Sequence, residues 1–211
     1  MNEIILYDYW RSSASYRVRI VLNLKGVEYS TVPTSLLDGD HKSPEYVARN
    51  PQGFVPMLRI DGHDLTQSLA IIDYLDANYH DPKMVSSDPA MRAKTLAQAM
   101  VIAADTHPVN NLRILKYLKD ILGHDQAAID EWYRHWVVEG FTALEAMAPD
   151  DGLFGSDLPN LADVCLVPQM ANARRFDTPL DAFPKLVRID AVLTAMPAFA
   201  AAHPDAVKPA E

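Results

Sequence analysis

The stretch GFVPML, residues 53 to 58, decides how the first part of this chain is read. A proline lacks the N–H that a β-ladder requires, so Pro56 belongs at a strand start or at a sheet edge. The residues that follow, VPMLRIDGHDL, turn at Asp61-Gly62 between two apolar-polar runs, which predicts a β-hairpin. A cis bond between Val55 and Pro56 would turn the backbone groups of Val55 outward, where an extended peptide could pair with them.

Around this hairpin the chain alternates strands and helices. Upstream, IILY (4–7) and YSTVP (29–33) are strand candidates. Between them, YRVRIVLNLKG (16–26) fits strand alternation and helical spacing alike; the serines before it and Gly26 after it favour a helix with Gly26 at its C-terminal cap. Downstream, SLAIIDYLDANY (68–79) carries an apolar helical stripe through Leu69, Ile72 and Leu75. The order is therefore β-α-β followed by β-β-α. A polar, proline-bearing stretch, HDPKMVSSDP (80–89), reads as a linker. Beyond it the segments AMRAKTLAQAMVIAAD, NNLRILKYLKDIL, AAIDEWYRHWVVEGFTALEAM and NLADVCLVPQMANARRF lack alternation and predict helices. The last begins at Asn160, with Asp163 three residues on, which has the form of a capping box. Two domains are expected, an α/β unit over 1–82 and an all-helical one over 88–211.

The 211 residues carry a formal charge of −9, which argues against a nucleic-acid surface. No apolar run approaches a membrane span, and MNEIILYDYW has no basic region followed by a long apolar core, so no signal peptide is expected. A single cysteine, Cys165, excludes an internal disulfide and fits a reducing cytoplasm. Its apolar setting, ADVCLVP, gives it the part of a small buried hydrophobe.

Chemistry is concentrated in WRSSASYRVRI, residues 10 to 20, with three serines and three arginines. A helix starting near Ser13 to Ser15 points its free N–H groups and positive dipole end at whatever lies above Tyr9 and Trp10. The serine hydroxyls and Arg11 then suit an anion. A plainer alternative makes Ser12 or Ser13 a helix cap and leaves Arg17 and Arg19 to solvate the outer face. In LTQSLAII, Gln67 and Ser68 precede a second helix whose start can hold a carboxylate, or can simply be capped. His107 in DTHPVNNLRIL has no metal-ligand spacing around it, so no metal is expected there.

Taken together, WRSSASYRVRI, NPQGFVPML, QSLAIIDYL and NLADVCLVPQ resemble the zeta class of glutathione transferases, in the right order and through almost the whole chain. The resemblance implies a thioredoxin-like N-terminal domain that binds glutathione, an all-α C-terminal domain, and a homodimer. It implies glutathione-dependent cis–trans isomerisation of a dicarboxylate, maleylpyruvate or maleylacetoacetate, in aromatic-compound catabolism. Pro56 would be cis, with the Val55 backbone on the cysteinyl part of glutathione and Gln52 of the same motif beside it. Gln67 and Ser68 would hold the γ-glutamyl carboxylate, and Ser12 and Ser13 would lie near the sulfur. His107 and Asn111 become glutathione contacts, while Arg11, Arg113 and Arg175 become carboxylate clamps. Arg113 matches an arginine of the maleylpyruvate type. The class usually has cysteine or a hydroxyl residue where this chain has Ala14, which leaves Ser12, Ser13 or Ser15 to stabilise a thiolate, Ser12 foremost. Two alternatives stand beside this: a transferase acting on halogenated acids or other electrophiles, and a binding module without activity. The retained serines, Val55-Pro56, Gln67-Ser68 and arginines speak against the second.

Overall fold

The structure is a computed structural model that describes residues 3–209. One compact unit takes the chain up to Lys83 and again from Ala195; the other is Met84–Thr194.

The first unit is built on β1 (Ile5–Asp8), α1 (Ser13–Leu24), β2 (Ser30–Pro33), α2 (Pro44–Arg49), β3 (Met57–Ile60), β4 (His63–Thr66) and α3 (Ser68–Asn78). The strands lie in the order β2-β1-β3-β4, with β1 parallel to β2 and antiparallel to β3. The β3–β4 hairpin pairs Ile60 with His63, leaving Asp61 (φ 51°) and Gly62 (φ 79°) as a two-residue turn of the primed type that matches strand twist. This is the expected β-α-β then β-β-α unit.

Helix α1 explains why its sequence period was ambiguous. Every residue from Ser15 to Leu22 is buried, so no polar stripe marks an outer face. Val18, Ile20, Val21 and Leu22 are fully covered, and each contributes on the order of 1.5–3 kcal/mol of burial. The helix ends in a Schellman motif, with Val27 N–H donating to Leu22 C=O (2.9 Å) and Gly26 N–H to Asn23 C=O (3.1 Å). The short α2 was not anticipated, although Ser43 caps it and Pro44 opens it.

The second unit comprises α4 (Pro89–Met100), a π-helical turn (Val101–Thr106), α5 (His107–Val109), α6 (Leu112–Asp120), α7 (Gln126–Met147), α8 (Leu161–Arg175) and α9 (Pro184–Thr194). Its core helix is α8, buried continuously from Leu161 to Met170, Cys165 included. The expected capping box is present. The Asp163 carboxylate accepts from the N–H groups of Asn160 (2.9 Å), Phe154 (3.1 Å) and Gly155 (2.9 Å). Burial pushes this carboxyl up to about 6, against the downward pull of those three donors. Among the described residues no helix is long and apolar enough to cross a membrane.

The chain then returns. Helices α10 (Pro197–Ala202) and α11 (Pro204–Val207) belong to the first unit, whereas the sequence reading grouped them with the helical domain. The reason lies on α1, whose polar side chains reach main-chain carbonyls of this segment. Tyr16 donates to Phe199 (3.4 Å), Arg19 to Ala202 (3.0 Å) and Asn23 to Ala198 (3.0 Å). The first half of the linker is tied down. Lys25 Nζ donates to the carbonyls of Tyr79 (2.6 Å) and Pro82 (2.9 Å), and Leu161 N–H donates to Met84 C=O (2.9 Å).

Candidate active site

Strand register gathers the first unit's candidate residues at one end of the sheet. Tyr7 near the end of β1 faces Met57 at the start of β3, and Met57 faces Thr66 at the end of β4. The loop leading to Ser12, the Val55-Pro56 segment and the Gln67-Ser68 step therefore all lie at the same end of the sheet. The Val55–Pro56 bond is cis, as expected. Among the described residues neither the N–H nor the C=O of Val55 enters a main-chain hydrogen bond, so both suit an extended peptide.

Ser12 is the N-cap of α1; its Oγ accepts from Ser15 N–H at 3.2 Å. Capping uses a lone pair and leaves the hydroxyl proton to donate, so the cap and the anion donor are compatible roles. Ser13 is nearly covered, and Ser15 is wholly buried. Ala14 is half-buried in the first turn, and Arg11 is exposed with its guanidinium over the Trp10 ring at 5.3 Å.

The segment before Val55 is clamped from α2. Both the Tyr46 hydroxyl (2.6 Å) and Asn50 Nδ2 (2.7 Å) donate to the carbonyl of Phe54. Val55, Met57 and Tyr46 share an apolar cluster with Tyr7, Tyr9 and Leu36. Burial pushes the Tyr46 phenol up to about 12, so it stays a donor at neutral pH. Gly53 has φ 60°, and a Cβ there would stand 2.7 Å from the His41 carbonyl oxygen; no side chain fits. Gln52 and Gln67 meet directly, Nε2 of Gln67 donating to Oε1 of Gln52 at 2.6 Å. Gln67 adopts φ 67° and gives no side-chain cap to α3, which sets aside the simple capping alternative for it.

Arg17 and Arg19 do not solvate an outer face. They are 3 % and 1 % exposed. Arg19 holds both Asp8 carboxylate oxygens at 2.8 Å and the Trp10 carbonyl at 3.1 Å, fixing the loop that carries Arg11 and Ser12. Arg17 donates to Ser68 Oγ at 3.0 Å. Local pattern gives no sign of either role, because an arginine on a short helical segment is normally solvated.

In the second unit, His107 follows the π-helical turn and Asn111 caps α6, accepting from Arg113 N–H at 3.1 Å. Arg113 is exposed at the start of α6. Arg175 ends α8, exposed, with its guanidinium 5.0 Å from the centre of the Phe176 ring. These two regions are joined through α7. Asn110 Nδ2 donates to the Tyr133 carbonyl (3.1 Å), and the Tyr133 ring stacks on Phe176.

The N-terminal domain model of the glutathione S-transferases matches residues 2–77. The chain is 49% identical over 211 residues to a maleylacetoacetate isomerase of Rhizobium meliloti, covering 99% of both chains. It also superposes on the holo structure of a maleyl pyruvate isomerase described as a bacterial glutathione S-transferase of the zeta class. That match has a TM-score of 0.95 and 40% identity, covering 98% of this chain and 100% of the other. The chain belongs to the zeta class of glutathione transferases. A further similar structure, a maleylacetoacetate isomerase of Methylobacterium extorquens AM1, was solved with bound malonate and glutathione. It matches with a TM-score of 0.93 and 36% identity over 98% of this chain and 100% of that one.

In this zeta-class chain the four-stranded sheet and its helices within the matched stretch form the thioredoxin-like domain. Several residues were not read from the sequence in the roles they take: Arg17, Arg19, Tyr46 and Asn50 in the first unit, and Tyr133 in the second. Each acts through a contact distant along the chain or through a main-chain carbonyl, and neither leaves a mark in local spacing.

Proposed function

We propose that this chain is a glutathione-dependent cis–trans isomerase that converts a maleyl keto acid, maleylpyruvate or maleylacetoacetate, to its fumaryl isomer. The observation that carries this is the convergence of Ser12, the cis Val55-Pro56 segment and Gln67-Ser68 at one end of the sheet. The unpaired Val55 backbone groups and the start of α3 fit an extended peptide with a free carboxylate. When bound, glutathione supplies a thiol nucleophile that adds to the cis double bond and leaves after rotation, so that it is regenerated.

The chain's own residues do the rest. Val55 orients the peptide, Gln52 with Gln67 and Ser68 takes the γ-glutamyl end, and His107 and Asn111 add further contacts. The Ser12 hydroxyl, Ser13 and the positive end of α1 favour the thiolate form. Arg11, Arg113 and Arg175 hold the substrate's carboxylates and the negative charge that builds on its keto oxygen, each as an always-charged planar fork. Family membership supports a homodimer, and a buried lone cysteine fits a cytoplasmic setting.

The test is to mix the purified chain with each maleyl keto acid, with and without glutathione. The expected result is fumaryl product only when glutathione is present, with no net loss of glutathione. Stoichiometric consumption of glutathione would replace this reading by a transferase; failure to bind a glutathione column would leave a binding module.

A further inference from the structure

Arg17 sits on α1 with 3 % of its surface exposed, and its Nη1 donates to Ser68 Oγ at 3.0 Å. Ser68 is the first residue of α3 and is itself 5 % exposed. A serine hydroxyl has one proton and two lone pairs. Accepting from a guanidinium commits a lone pair and leaves the proton to be given outward, past the start of α3. A guanidinium cannot deprotonate, so this polarity of Ser68 holds at every working pH. Gln67 joins its side chain to Gln52 and gives α3 no cap, so Ser68 supplies the hydroxyl at this helix start.

We propose that Arg17 is a positioning residue for glutathione, acting through Ser68. It fixes the Ser68 hydroxyl as a donor to the γ-glutamyl α-carboxylate. The inference rests on the reading of Ser68 as a carboxylate contact.

The experiment measures dissociation constants by calorimetry for glutathione and for an analogue whose γ-glutamyl α-carboxylate is an amide. The proteins are the full-length chain, Arg17→Met, Arg17→Lys, Ser68→Ala and the Arg17→Met/Ser68→Ala double variant. Arg17→Met should weaken glutathione by about 10-fold, a 1.4 kcal/mol change, and the amide by less than about 2-fold. At saturating glutathione, kcat and the KM for the keto acid should stay within about 2-fold of the parent. Arg17→Lys should recover part of the lost affinity. In the double variant Arg17→Met should add nothing to the loss from Ser68→Ala. Equal weakening of both ligands, or additive losses in the double variant, overturns the role of Arg17 while leaving the carboxylate reading intact. A Ser68→Ala protein with unchanged glutathione affinity removes that reading itself, and the proposal with it. Should Arg17→Met fail to fold, Arg17→Lys carries the test: weaker glutathione with unchanged amide supports the proposal, and no discrimination between the two overturns it.

Discussion

The ring of Tyr133 lies flat on that of Phe176, with centroids 3.7 Å apart and planes 9° from parallel. The Tyr133 hydroxyl has Arg175 and Gln169 beside it, while burial raises its pKa to about 12. Removing that hydroxyl in Tyr133→Phe keeps the stack and frees Arg175. Stability should fall by about 1 kcal/mol. The KM for the keto acid should rise several-fold, with glutathione affinity unchanged. Urea unfolding and steady-state kinetics check both halves; an unchanged KM would separate Tyr133 from Arg175.

The clamp on Phe54 predicts a different loss. Tyr46→Phe and Asn50→Ala each remove one of two donors to the same carbonyl, next to the cis bond. Each should cost about 1–2 kcal/mol of stability. Each should also weaken glutathione several-fold, because Val55 is no longer held in register for a peptide. Thermal melts alongside calorimetry decide this, and loss of stability with full glutathione affinity would count against it.

Gly140 on α7 lies against the π-helical turn. A methyl group at this position would overlap Thr106 Oγ1, so Gly140→Ala forces the turn before His107 to move. Overpacking of this kind costs about 1–3 kcal/mol. Adding Thr106→Ala should restore part of the loss, since the clashing oxygen is then gone. A double variant no more stable than Gly140→Ala would refute the steric account.

Acid stability should depend on Asp64. The hydrogen bonds from Arg49, with further help from Arg59, hold its carboxyl down at about 2, against an ordinary 3.8. A folded pKa below the unfolded one stabilises above the unfolded value. The contribution is therefore complete above pH 3.8 and disappears as pH falls towards about 2. The pair faces solvent in part, so screening reduces its contribution to about 1 kcal/mol. Asp64→Asn should lose that amount at neutral pH and show a shallower decline in stability between pH 4 and 2, measured by denaturant unfolding across pH.

The three arginines carry the substrate prediction. Charge-assisted bonds contribute about 1.5–3 kcal/mol each. Arg11→Ala, Arg113→Ala and Arg175→Ala should each slow turnover of a dicarboxylate by roughly 10- to 100-fold. An uncharged glutathione acceptor should be affected far less. Arg113→Ala should hurt maleylpyruvate most. Equal losses on charged and uncharged substrates would favour a general transferase.

What the sequence determined by itself was whatever rests on near neighbours. The Asp61-Gly62 turn, the Asn160–Asp163 box, the stop at Gly26 and the break at Pro56 each follow from one residue's conformational or hydrogen-bonding needs, and each stands where it was read. Tertiary structure decided which faces are covered. Arg17 and Arg19 became buried because α3 packs on α1 and because a segment nearly 200 residues away lays its carbonyls on the same helix; Arg19 reaches Ala202 across 183 positions. A helix covered on all sides loses the period that would announce it, and a guanidinium satisfied by distant carbonyls looks, along the chain, like one meant for water.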